Sequence, residues 1–215
     1  MKQTVKEQME KIYGEMSPEE IPWNLETPPD MLAALVSGGL LPRSRVIEYG
    51  CGAGNSVVYF AKNGFDATGI DISENAIRLA RRSAERAGVR CSFVVADVLG
   101  EIPELTTGFD FAYDWELLHH IFPEDREKYI GNVWRLLKPG GLYLSVSFSE
   151  RSRQFGGVGK YRKTPLGTVL YFSSESELDL LLRKRFVVEE LKTVDIPGKH
   201  AIHTAVYVRC RKENG

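Results

Sequence analysis

Val5, Met9, Ile12 and Met16 recur at helical spacing between charged and polar residues, which predicts an amphipathic helix over the first 16 or so residues. PEEIPWNLETPPDM breaks that rhythm with prolines and acids and predicts an ordered but irregular connector. DMLAALVSGG then reads as a short helix stopped by glycine. From Arg45 the pattern changes to short apolar runs, glycine turns and helical spacings in alternation. RVIEYG, DATGID, CSFVVAD, FDFAYDW and LYLSVSF read as strands. Between them, GNSVVYFAKNG is a helix ended by Gly64, and SENAIRLARRSAERAG is a helix capped by Ser73 and closed by Gly88. The buried side of the second helix is expected to be Ala76, Ile77, Ala80 and Ala84. PEDREKYIGNVWRLLKPGG predicts a helix with Ile130, Val133, Trp134 and Leu137 against the sheet, stopped by Pro139 and two glycines. SSESELDLLLRKR is a last helix, and FVVEELKTV and HTAVYVRC are two final strands. Mostly apolar strands alternating with helices mean an α/β domain around a largely parallel sheet. Only DIPGKHAI separates the last two strands, too little for a parallel crossover, so they are expected to pair antiparallel.

The first strand runs into a glycine turn, RVIEYGCGAGN. In an open parallel sheet this first strand-to-helix turn is where ligands bind. Gly50, Gly52 and Gly54 let the backbone bend sharply and approach a ligand, and the helix beginning near Asn55 presents free N–H groups. A tight turn without a ligand is the alternative. The dinucleotide fingerprint GxGxxG is not met, because Asn55 stands at its third glycine. Glu48 ends the strand beside this turn, where a carboxylate repels a pyrophosphate and attracts an ammonium or a sulfonium. Electrostatics therefore favours S-adenosylmethionine over a nicotinamide dinucleotide. Asp71 ends the second strand, 21 residues after Gly50, placed to accept ribose hydroxyls. Asp97 ends the third strand, placed toward an adenine amino group. Either acid alone reads equally as a helix cap or a surface charge. Acids at three successive strand ends argue for one ligand.

Composition narrows the remaining classes. A chain of 215 residues is expected to form one domain, and a net charge of −1 gives no general affinity for nucleic acid or an anionic membrane. The N-terminus lacks a signal-peptide core and no apolar run is long enough to span a membrane. Cys51, Cys91 and Cys210 are few, odd in number and far apart, which reads as free thiols and a cytoplasmic location. Cys51 sits where the glycine turn needs a small side chain.

The pieces VIEYGCGAG, TGIDIS, VVADV, FDFAYDWELLHHI and LLKPGG, in this order over residues 45–148, resemble the class I S-adenosylmethionine-dependent methyltransferases. That resemblance implies a Rossmann-like, seven-stranded, mostly parallel sheet flanked by helices, with the last strand antiparallel. IPWN, DWELLHHIFPEDREKY and YFSSESEL further resemble the branch of thiopurine, thiol, halide and tellurite methyltransferases, which act mostly on small molecules. Carried over, Trp23, Gly50, Gly52, Gly54, Asp71 and Asp97 bind the cofactor, with Asp114 and Trp115 toward the methionyl portion; with Glu48, and with Ile72 and Val98 beside the two acids, they make up the expected cofactor-binding set. Residues 1–40 are expected to form a helical lid, with Trp23 where the related enzymes cover the cofactor, over a methyltransferase domain of residues 41–215, and residues 151–172, following the fifth strand, are expected to be a substrate-side loop.

The family shares no one catalytic residue. His119 and His120, beyond the fourth strand, are the candidate general bases, with a packing or capping role as the alternative. His200 and His203 read as structural, and no metal-ligand spacing occurs. The stretch RSRQFGGVGKYRK, residues 151–163, contains no acid and three glycines, and reads as a mobile substrate loop or a solvated face. Its Arg151, Arg153, Lys160, Tyr161 and Arg162, with Lys163, are the candidate substrate contacts. The expected acceptor is a small molecule with a soft or anionic nucleophile, a thiol or another chalcogen first, and no nucleic-acid or membrane partner is expected. Open alternatives are an O, N or C acceptor, a non-catalytic S-adenosylmethionine-binding protein, and a nicotinamide-dependent oxidoreductase.

Overall fold

The computed structural model describes residues 4–39, 41 and 44–214. Residues 1–3, expected in the first helix, and residue 40, expected to end the N-terminal segment, lie outside the described residues. Helix α1, Val5–Glu15, starts at a capping box in which the Thr4 hydroxyl accepts the Glu7 N–H and the Glu7 carboxylate accepts the Thr4 N–H at 2.8 Å. It buries Met9, Ile12 and Tyr13, so the inward stripe is shifted from the expected one and Val5 is exposed. Helix α2, Asp30–Ser37, follows the connector.

The sheet begins with β1, Arg45–Tyr49, and continues through α3, Asn55–Lys62; β2, Asp66–Asp71; α4, Glu74–Ala87; and β3, Ser92–Val95. Then come β4, Phe109–Trp115; a 3-10 turn, Leu118–His120; α5, Pro123–Leu136; and β5, Leu137–Phe148. The chain ends with β6, Tyr161–Lys163; β7, Val169–Tyr171; α6, Glu175–Leu182; β8, Val187–Pro197; and β9, Ile202–Arg211. The seven-stranded sheet has the order β3-β2-β1-β4-β5-β9-β8. Strands β1 to β5 pair in parallel, and β9 enters antiparallel between β5 and β8. This is the architecture expected from the alternation and the short final loop.

Strand periodicity divides the core in two. Val46, Phe111 and Tyr113 face the layer that holds Phe60 of α3 and Ile77 of α4. Ile47, Tyr49 and Ala112 face the layer of Tyr129 and Ile130 of α5 and Leu178 of α6. Two details depart from expectation. Trp134 is 37% exposed and lies under the Lys212 ammonium, while Tyr129 takes the inward place. Helix α5 stops at Leu136, and the LKPGG segment at once opens β5, so Leu137 pairs with Phe109 instead of lying on the helix face. Among the described residues, no helix is long and apolar enough to cross a membrane.

An open parallel sheet leaves backbone N–H groups and diverging loops beyond the carboxyl ends of its strands, and a cavity forms there. Because β9 runs the other way, its first residues reach the same edge: Ala205 is opposite Phe148, the last residue of β5.

Candidate active site

The cavity has a volume of about 1080 Å³ and extends from the glycine turn after β1 to the 154–170 segment. Gly50, Gly52 and Gly54 line it. At Gly52, with φ +51°, a Cβ would come within 2.6 Å of the Tyr13 hydroxyl, so α1 closes on the turn only because nothing projects there. Glu48 is 6% exposed, and its Oε2 has no hydrogen-bond partner among the described residues. Burial pushes its carboxyl up to about 8; the Tyr113 hydroxyl opposes the shift, and Asp71 and Asp114 add to it. Asp71 is also buried: Oδ2 accepts the Gly52 N–H and Oδ1 the Ser73 N–H, each at 2.9 Å. Burial raises its carboxyl, and those N–H groups hold the rise back. The acid thus fastens the glycine turn to the start of α4.

Asp97 is exposed to the cavity just beyond β3, its Oδ1 accepting the Leu99 N–H at 2.9 Å. Ile72, Val98 and Trp115 supply apolar walls nearby. Trp23 also lines the cavity and donates its indole N–H to the Tyr13 hydroxyl at 2.8 Å. Asn55 donates to the Leu25 carbonyl at 2.6 Å, tying the connector to the first turn of α3. Cys51 is a free thiol at the same wall, and burial pushes it well above the usual thiol range, so it is no nucleophile.

Asp114 does not fit its expected place. It is fully buried on the opposite face of β4 and absent from the cavity wall. Its Oδ2 accepts the hydroxyls of Tyr129, at 3.0 Å, and Tyr143, and its Oδ1 accepts that of Ser145 at 3.0 Å. Burial raises this carboxyl to about 6 against the pull of the three hydroxyls. The reason is the strand period: with Trp115 turned to the cavity, its neighbour must turn to α5.

The candidate substrate loop is also different. It carries the β6–β7 hairpin, and Arg162, 3% exposed, donates to the carbonyls of Glu150, Ser152, Gln154 and Gly159 while lying 4.0 Å above the Phe172 ring. It is a structural fastener. Lys160 pairs with Glu150 at 3.2 Å and Glu177 at 2.6 Å. Tyr161 packs outside against Phe122 and Tyr171, and Arg151, Arg153 and Lys163 are exposed. None of these six residues lines the cavity; Phe155, Leu166 and Leu170 do. The charge count was legible in the sequence, but the hairpin decides which way each charge points.

His119 and His120 do line the cavity, yet burial pulls His119 well below the ordinary imidazole range and His120 to about 4. His119 stacks on Phe148 with ring centres 4.3 Å apart, and both rings are weak bases. Two residues outside the sequence-based set meet here instead. His203 Nδ1 lies 3.1 Å from Glu116 Oε1, and both line the cavity. The antiparallel direction of β9 was the signal that could have found His203.

Residues 46–141 match a family described as a methyltransferase domain. A probable thiol methyltransferase of Arabidopsis thaliana is 30% identical over 172 residues, covering 76% of this chain and 75% of that protein. An S-adenosyl-L-methionine-dependent Diels-Alderase of Talaromyces variabilis is 35% identical over 113 residues, half of this chain, which spans only 37% of that relative's length. In fold, the chain is similar to a solved structure described with the conversion of a disulfide bond into a thioacetal group during echinomycin biosynthesis. The TM-score is 0.82 at 23% identity, over 98% of this chain and 93% of the other.

Proposed function

The chain belongs to the S-adenosylmethionine-dependent methyltransferases, and we propose that it methylates a small, largely apolar acceptor through a soft nucleophile, a thiol first. S-adenosylmethionine supplies a methyl group on a sulfonium, which departs as a neutral thioether. The residues present fit that donor. Glu48 offers a buried carboxylate oxygen with no partner among the described residues to an ammonium, Asp71 has lone pairs left for ribose hydroxyls, and Asp97, with Oδ1 on the Leu99 N–H, keeps Oδ2 for an adenine amine. The remaining space is lined by Phe148, Phe155, Leu166 and Leu170, with Gln154, Thr164 and Thr168 among them and Glu116 and His203 at its edge.

The observation that supports the acceptor class is this largely apolar wall, which Phe155 of the 151–163 stretch joins while none of that stretch's Arg or Lys side chains does. An apolar acceptor is held there by surface burial, at roughly 25 cal/mol per Å², and positioned for in-line transfer while water is excluded. The thiol methyltransferase relative at 30% identity supports sulfur as the acceptor atom. Turnover of labelled S-adenosylmethionine against thiols, halides, chalcogen oxyanions, amines and phenols tests the reading. Apolar thiols should be methylated best, ahead of charged thiols of equal acidity. Methylation of amines or phenols with no turnover on any thiol would overturn it. Neutralising Arg151, Arg153 and Lys163 together should leave the acceptor KM within about twofold, because screened surface charges act weakly across that distance.

The N-terminal segment is read as a cover over the donor. Supporting this are the Tyr13 hydroxyl above Gly52, the Trp23–Tyr13 hydrogen bond and the reach of Glu10 to the Ser73 hydroxyl at 2.6 Å. Amide exchange in α1 should slow on the order of tenfold when S-adenosylhomocysteine is added, as ligand contacts hold the cover down. Exchange that does not change in residues 5–15 would show that α1 is a fixed part of the wall.

A further inference from the structure

Glu116 is one of two non-glycine residues with positive φ, at +62°, among the described residues. A side chain seldom adopts that conformation, and the surroundings must hold it there. Here the Glu116 N–H donates to the Val146 carbonyl at 2.8 Å, extending the β4–β5 pairing by one residue and aiming the side chain along the cavity edge. Its Oε1 meets His203 Nδ1 at 3.1 Å. The two come from chain positions far apart and meet only because β9 is antiparallel.

We propose that His203 is the general base that takes the acceptor's proton, and that Glu116 is the residue that positions it; the proposal rests on reading the cavity as a methyl-transfer site. A carboxylate can only accept, so the hydrogen of a neutral His203 sits on Nδ1 and the lone pair on Nε2. Nε2 abuts Gly198, where any side chain would collide with the ring. The Phe148 ring, 5.0 Å from that of His203, supports the imidazole from the β5 side. This is the base-and-orienter arrangement on which proton abstraction depends. His119 lacks it: its Nδ1 faces the Phe148 N–H at 3.5 Å, and among the described residues no carboxylate hydrogen-bonds to it.

In the step itself, the acceptor's proton passes to Nε2. The electron pair of the acceptor atom forms the bond to the methyl carbon, and the pair of the broken carbon–sulfur bond stays on the departing sulfur. The imidazolium, held by Glu116, then gives its proton to solvent. Among the described residues, Glu116 beyond β4 contacts His203, the charge of His203 acts on His119 in the 3-10 turn, and His200, in the turn before β9, lines the same cavity. Lys199 is directed away, to the Glu19 and Ile21 carbonyls.

The test compares the wild type with His203→Gln and Glu116→Gln on a series of apolar thiols and phenols graded in acidity. With a weakly acidic acceptor, His203→Gln should lower kcat on the order of a hundredfold; with an acceptor already ionised in solution the loss should nearly vanish. S-adenosylhomocysteine affinity, measured by calorimetry, should stay within about twofold for both variants. Nitrogen-15 resonances of the His203 ring give a readout that needs no turnover. They should report hydrogen on Nδ1 in the wild type and a mixture of tautomers in Glu116→Gln. Equal losses across the whole series, or hydrogen on Nε2 in the wild type, would overturn the proposal. Should the wild type methylate phenols and no thiol, the acceptor reading falls while the phenol series still judges His203.

Discussion

Glu48→Gln should weaken S-adenosylmethionine binding by on the order of ten- to a hundredfold and, in the absence of ligand, make the protein less sensitive to alkaline pH. The carboxyl is 6% exposed with one oxygen unpaired, and burial raises it to about 8 from an ordinary 4.5. Below about pH 4.5 the group is protonated in folded and unfolded chains alike and has no net effect. Between there and about 8 the unfolded chain loses the proton and the folded protein keeps it, so stability falls with rising pH by up to roughly 1.4 kcal/mol per unit. Above about 8 the penalty is constant. Glutamine removes this slope, and the gap between variant and wild type should open between about pH 4.5 and 8 in thermal melts and stay constant above that.

Ligand binding reverses the logic. An ammonium beside Glu48 favours the ionised carboxylate, so binding near pH 7 should release about one proton in wild type and none in the variant. Calorimetry in buffers of different ionisation enthalpy reads that difference. Undiminished affinity in Glu48→Gln would mean that the donor's ammonium lies elsewhere.

Asp114→Ala should be the most destabilising of the changes considered, at about 3–4 kcal/mol. It strips the acceptor from Tyr129, Tyr143 and Ser145, all buried, and leaves a void between β4 and α5. Urea denaturation should show the loss. The part of the protein still folded at low temperature should bind S-adenosylhomocysteine as the wild type does, because Asp114 does not reach the cavity. Normal stability with lost affinity would instead return Asp114 to the donor's methionyl end.

Asp114 and Glu116 show where reading the chain stopped short. The strand FDFAYDW was clear from its apolar residues, and β4 covers Phe109–Trp115. Which acid of the DWE sequence faces the ligand depends on register against β5 and on the positive φ at Glu116. Neither has a local signature. Arg162 is a similar case: between two exposed neighbours in β6 it alone turns inward, to four carbonyls and Phe172. The basic composition of 151–163 said nothing of that.

The amino-acid sequence by itself determined the glycine turn, the acids at the carboxyl ends of β1 and β2 and just beyond β3, the alternation of strand and helix, and the antiparallel ending. Each of these rests on interactions within a few residues: apolar periodicity, caps, glycine conformations and a loop too short to cross over. Only the tertiary structure decided that the basic side chains leave the cavity, that Asp114 belongs to the core, and that His203 meets Glu116. Those outcomes depend on strand register and on β9 lying beside β5, contacts between residues up to 87 positions apart. Local preference is equal for the competing arrangements, and packing of the whole sheet selects among them.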